Sequence, residues 1–326
     1  MITDNASPDP KLPPFPVILR PVGRFMLPVH ESMEISATWF KVNGIAVEEF
    51  SWKPELNNKR TLEALKESLG TKAGIANESR GLDVRERWDE MDVSDLCGFP
   101  AILRCCNGSR ADHNLEVYIG MPDVILRLTE NRPFDTCGPC LTVNGPILNL
   151  FRKYRHGSDN VSSTGFFFSA GRVDGLKTWS EQAGMSLERP PSESLHRIRL
   201  RLDAHLFAHP CDPPRITEAV KPVTSKYRIE LKILRSREKV LANLKGLEEI
   251  YILQPKDKSC PDIPRLTACW EYEGAGGDPQ KPHIQIKMSC RIEAKEDALR
   301  MWDAIIRNFS SVRAHFAGQS QAPELE

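Results

Sequence analysis

Residues 283–316 constrain the fold more than any other stretch, because a strand pattern runs directly into a helix pattern there. Ile284, Ile286, Met288, Cys290 and Ile292 alternate with Gln285, Lys287, Ser289 and Arg291. Two residues later the period changes, and Ala298, Trp302, Ile305, Phe309, Val312 and Phe316 recur at spacings of three and four. A period of two places alternate side chains on one face of a strand, and a period of 3.6 builds one apolar face of a helix. The pair predicts a sheet closed by a long amphipathic helix over 293–316, with Trp302, Ile305 and Phe309 packed on Ile284, Ile286 and Met288.

The rest of the carboxy-terminal half extends that prediction. Leu195–Leu202 reads as a strand with Ile198, Leu200 and Leu202 inward, and Tyr227–Ile233 as another with Ile229, Leu231 and Ile233 inward. Ser236–Lys245 reads as a short helix closed by Gly246, and 249–253 and 266–272 as further strands. This element order predicts an α+β class with mainly antiparallel sheets. Two architectures accommodate it: a pleckstrin-homology-like barrel, or a helix-grip sheet closed by the long carboxy-terminal amphipathic helix.

The amino-terminal half is also strand-rich. Met33, Ile35, Ala37 and Trp39 alternate, and Asn43-Gly44 between apolar flanks is a hairpin turn signal. Residues 59–69 read as a helix stopped by Gly70. Runs at 101–105, 114–119 and 123–128 predict three strands, and Ile147–Tyr154 predicts a helix. Proline clusters suggest the segmentation: tail 1–14, an amino-terminal α+β domain 15–190, a boundary at Pro190-Pro191, a carboxy-terminal domain 195–316, and tail 317–326.

With 44 basic and 44 acidic residues the formal net charge is zero, which argues against a broad nucleic-acid contact surface. The start, Met-Ile-Thr-Asp-Asn-Ala-Ser-Pro-Asp-Pro, has acids and prolines where a signal peptide needs a basic and then an apolar region. The nine cysteines lack framework spacing, so reduced thiols in a cytoplasmic or nuclear protein are expected.

Three groups of residues are candidates for chemistry. Arg197, Arg199 and Arg201 share the polar face of one predicted strand, and Arg228 and Lys232 that of another. If the two strands pair, the result is a basic face for phosphates of nucleic acid or anionic lipid, or for an acidic protein. Apart from Tyr227 at its edge, that face shows no aromatic residue. Cysteines and histidines at Cys137, Cys140, His205, His209 and Cys211 are candidate metal ligands, but four ligands in two paired clusters are wanted for structural zinc and only one CxxC exists. There is no phosphate-binding glycine loop ending in Lys, no GxSxG and no HExxH.

Cys137-Gly-Pro-Cys140, followed by Pro146-Ile147-Leu148, resembles the active-site turn of the thioredoxins, although Thr136 stands where that family has Trp. The resemblance implies a thiol oxidoreductase with Cys137 as the nucleophile, activated at a helix amino terminus. The wider pattern of many strands, balanced charge and no convergent catalytic set predicts a non-enzymatic protein-interaction or scaffold protein without a cofactor.

Overall fold

The computed structural model describes residues 16–51, 62–67, 69, 88–106, 112–121, 124–133, 145–156, 165–169, 171–175, 178, 180–191, 197–206, 229–255 and 265–319. Its main feature is a sheet of twelve strands in the order β14-β15-β16-β17-β13-β12-β3-β4-β8-β7-β6-β5, antiparallel at every step. The amino-terminal strands are β3 (Glu34–Val42), β4 (Ile45–Ser51), β5 (Trp88–Asp92), β6 (Ala101–Cys106), β7 (Asp112–Gly120) and β8 (Val124–Pro133). The others are β12 (Glu181–Arg189), β13 (Ile198–His205), β14 (Ile229–Leu241), β15 (Leu244–Pro255), β16 (Arg265–Tyr272) and β17 (His283–Arg291).

The α+β, mainly antiparallel reading holds. A closed barrel does not form: β14 and β5 end the sheet on opposite sides, and no pairing joins them among the described residues. The sheet passes from β12 to β13 across the expected boundary at 190–195. At β3–β4 the contact is narrow, three residue pairs around the Asn43-Gly44 turn, whose φ angles of 50° and 85° fit the predicted hairpin. The apolar cluster on the inner face includes Leu103, Leu126, Leu200, Ile286 and Trp302, so one core underlies both halves.

Two small sheets cover parts of this core. β1 (Val17–Val22), β2 (Phe25–His30) and β18 (Ser310–Ser311) form one; β9 (Tyr154–His156), β10 (Phe166–Phe167) and β11 (Gly171–Val173) form the other. Helix Gly145–Lys153 buries Ile147, Leu150 and Phe151, as its spacing predicts. The 62–67 helix and Leu69 place Leu65 and Leu69 against Ile102, Tyr118 and Ile125.

The closing helix differs from its prediction in length. A turn of 3-10 helix (Ile292–Ala294) leads into helix Lys295–Asn308, which ends at Phe309 in extended conformation (φ −65°, ψ 129°). Ser310 and Ser311 then pair with Met26 and Phe25 of β2, and a separate helix runs over Val312–Gln319. Serine is a poor helix former with a good local alternative: the Ser311 hydroxyl accepts from the Ala314 N–H at 3.2 Å and starts the next helix. The helix therefore lies between β17 and β2, and Phe309 stacks on Phe25 with ring centroids 5.5 Å apart. Ile284, Ile286, Met288, Trp302, Ile305 and Phe309 are all buried in the same cluster, as the spacing predicts.

The second correction concerns 236–245. Instead of a helix, this segment completes β14 and turns at Ala242-Asn243, with φ of 48° and 64°, into β15. The predicted helix stop, Gly246, is inside β15. A Cβ there would lie 2.4 Å from the Glu271 carbonyl and 2.7 Å from the Trp270 indole. Trp270 crosses over this glycine and donates from Nε1 to the Lys239 carbonyl at 3.0 Å. Ile233, predicted to face inward, is 52% exposed.

Glu248, fully buried, anchors the hairpin to the closing helix. It accepts from Trp302 Nε1 at 2.8 Å, Arg235 at 3.0 Å and Arg237 at 2.6 Å, and Arg235 also reaches Asp303 at 2.7 Å. Burial alone would raise its pKa, but the bonds from Arg237 and Trp302 and the Arg235 charge outweigh that and hold it below the ordinary 4.5. Stability from a depressed carboxylate is complete above its unfolded value and is lost as pH falls through the folded value.

Two measurements check this arrangement. Trp302→Ala should lower unfolding free energy by about 3–5 kcal/mol in urea titrations. Glu248→Gln should cost on the order of 3 kcal/mol at pH 7. Below pH 4.5 the native protein should lose stability more steeply than this variant. Parallel pH curves would show that Glu248 carries no such linkage.

Candidate interaction surface

The outer face of β3, β12, β13 and β17 holds the arginines singled out by the sequence. Ile198, Leu200 and Leu202 point into the core, so Arg199, Arg201, Asp203 and His205 point outward, with Arg197 just before the strand. Arg197 and Arg199 both approach Glu188 on β12, at 2.5 and 3.4 Å, and each is more than half exposed. Arg201 grips Asp203 through two bonds, Nε to Oδ2 at 2.5 Å and Nη2 to Oδ1 at 3.1 Å.

Its guanidinium carbon stands 4.7 Å from the centroid of the Trp39 ring. Trp39 comes from β3, where it pairs in register with Gly184 of β12. A Cβ on Gly184 would come within 2.0 Å of the indole, so the ring lies flat against the glycine backbone. Sequence reasoning found no central aromatic for this face, because Trp39 stands about 160 residues before Arg201. The one available signal was Gly184 inside a strand.

Asp203 is buried, which by itself would raise its pKa. The neighbouring His205 and the two bonds from Arg201 outweigh that and lower it. His205 sits 3.9 Å from the Asp203 carboxylate and its ring centroid is 6.4 Å from that of His283, its partner on β17. His283 in turn meets Glu271 at 2.9 Å. Lys287, opposite Arg201 on β17, is exposed. The surface is thus a mixed-charge field around a Trp–Arg pair, with carboxylates interleaved among the cations.

The second basic strand does not join it. Lys232 is exposed on β14, and β15, β16 and β17 separate β14 from β13, so the conditional pairing of the two basic strands does not occur. Arg228 lies outside the described residues, as do Cys137, Cys140, His209 and Cys211. Among the described residues no group of three or more His, Cys, Asp or Glu is arranged to hold a metal ion. Cys97 and Cys290 are buried free thiols, pushed up by burial to about 11 and about 12. They remain protonated at neutral pH and behave as apolar side chains. No helix among the described residues is long and apolar enough to cross a membrane.

No protein-family model matches the chain, and no curated protein matches it. Solved structures do. The apo structure of the T6SS immunity protein TplEi from Pseudomonas aeruginosa is similar with a TM-score of 0.62 at 14% identity, over 91% of this chain and 97% of that one. A chain of the Tle4–Tli4 complex gives 0.64 at 15% identity, over 93% and 99%. TplEi complexed with the "L" peptide gives 0.58 at 16% identity, over 91% and 98%. At these identities the likeness establishes a shared fold along nearly the whole chain.

The close seat of Trp39 on Gly184 has a direct test. Gly184→Ala should displace the indole and lower unfolding free energy by about 1–3 kcal/mol, while Gly184→Ala in a Trp39→Ala background should cost much less. Equal costs in both backgrounds would mean that the ring does not occupy that space.

Proposed function

We propose that this chain is a protein-binding inhibitor of the immunity type, which neutralises a toxic effector protein by docking on it. The observation that carries the reading is the near full-length likeness to TplEi, described as an immunity protein, and to a chain of the two-protein Tle4–Tli4 complex.

The surface chemistry suits a protein partner. Trp and Arg are the residue types most enriched at interface hot spots, and here they meet in one pair. Gly184 beneath and Asp203 beside them fix both side chains before any partner arrives, so little rotamer freedom is left to lose on binding. Glu188 and Asp203 hold Arg197, Arg199 and Arg201, which weakens the face as a phosphate cradle and suits it to the polar rim of a protein interface.

The test is co-elution and calorimetry of the purified chain with T6SS effector proteins and with Tle4. Trp39→Ala and Arg201→Ala should each weaken the effector that binds by tenfold or more, about 1.4 kcal/mol. Replacing Arg197 and Arg199 by Glu should chiefly slow association and flatten its salt dependence. Binding by no effector, or full affinity in both Trp39→Ala and Arg201→Ala, would overturn the reading.

A further inference from the structure

β14 offers a second contact surface, of a different kind. Among the described residues it is the end strand of the large sheet, thirteen residues long and paired only with β15. An end strand leaves the N–H and C=O groups of alternate residues unpaired along its outer edge. Of the seven large hydrophobic residues exposed among the described residues, three are here: Ile233 at 52%, Leu234 at 36% and Val240 at 59%. That concentration separates this strand from ordinary scattered exposure.

The two faces of β14 differ in character. The register shift between Ile233 and Arg235 makes Leu234 the extra residue, so the side-chain phase changes there. On the outer face stand Ile229, Leu231 and Ile233, then Ser236, Glu238 and Val240, opposite Pro255, Leu253, Tyr251, Glu249, Leu247 and Lys245. The face toward the closing helix carries Glu230 and then four cations: Lys232, Arg235, Arg237 and Lys239. Arg235 and Arg237 are engaged by Glu248 and Asp303. Lys232 and Lys239 have no carboxylate within ion-pairing distance among the described residues.

We infer that this edge receives an extended segment of the partner protein as a thirteenth strand. The segment would be apolar where it faces Ile233 and Val240, and acidic where it faces Lys232 and Lys239. The inference rests on the proposed function only for the premise that the partner is a protein. A second copy of this chain fits worse. Antiparallel pairing of β14 with itself that brings Ile233 to Val240 sets Arg237 against Arg237 and Arg235 against Lys239. Strand addition takes affinity from main-chain bonds and specificity from alternate side chains, and the period of two along β14 supplies both.

The probe is a fluorescein-labelled nonapeptide of alternating Val and Glu, whose second and eighth residues span the same number of strand positions as Lys232 and Lys239. Its anisotropy is followed with the full chain, and the result expected is saturable binding. Lys232→Glu with Lys239→Glu should weaken it by tenfold or more, and Val240→Lys by a similar factor. The peptide with Lys for Glu, or with its edge-facing amides methylated, should not bind. Trp39→Ala should leave peptide binding unchanged, since that residue belongs to the other surface. Absence of binding to the native chain, or equal binding of the Glu and Lys peptides, would overturn the inference; the bulge and lysines would then serve only to keep the edge unpaired. Either result leaves effector binding and its dependence on Trp39 to be read separately, so failure here and failure of the proposed function are distinguishable.

Discussion

The buried carboxylate of Glu248 is the constraint on which the carboxy-terminal half depends. Removing such an ion from water costs several kcal/mol, and only a complete set of partners offsets the cost. Trp302, Arg237 and Arg235 form that set, and they come from the closing helix and the β14 edge. Each position is therefore fixed by the others. Shifting the hairpin by one residue would turn Arg237 to the opposite face and leave Glu248 short of a charge partner. Rotating the helix would withdraw the indole. The network selects one register and one helix orientation, where apolar contacts alone tolerate several.

That dependence explains what could be read from the sequence and what could not. The alternation of Ile284, Ile286, Met288 and Cys290 is a local signal, and these side chains are buried as it requires. The Asn43-Gly44 turn is local in the same sense. Ser236–Lys245, by contrast, contains good helix formers, and its strand state is imposed from a distance by Glu248, by Trp270 over Gly246 and by pairing with β15. Propensity is a weak prior that such tertiary contacts override. The break at Phe309 has the same origin. Apolar spacing continues through Val312, but Ser310 and Ser311 find partners on β2, some 285 residues earlier.

The candidate surface divides in the same way. Arg197, Arg199 and Arg201 announce themselves by alternation, which a strand turns into a row. Asp203 lies two residues after Arg201 on the same strand face and is local in the same sense. Glu188 and Trp39 follow from register, and register between β3, β12 and β13 is not written in any one segment. Pairing Lys232 with the β13 arginines required two basic strands to be neighbours, and the observed order places three strands between them. The short-range part of a binding face is thus visible early, and its composition changes once the strand order is known. A basic patch became a mixed field centred on an aromatic ring.

The sheet itself suggests why two surfaces can differ in kind. Between β3 and β4 only three residue pairs carry the ladder, yet the apolar cluster beneath runs on from Leu126 to Met288. Side-chain packing, more than backbone hydrogen bonding, joins the parts of the sheet on either side of this seam. Packed cores transmit strain and resist deformation, so a side chain seated over that core is held in place. Trp39 is such a residue, next to the β3–β4 seam that begins at Phe40 and pressed on Gly184. Among the described residues β14 is tied to the closing helix by Arg235, which bonds Asp303, and by way of Glu248, which Arg235 and Arg237 share with Trp302. Apart from the buried Leu241, its other side chains are partly or fully exposed. A rigid Trp–Arg pair at the centre favours recognition of a preformed surface, while a loosely covered edge can accept a segment that orders as it binds. Both follow from how much core lies beneath each position.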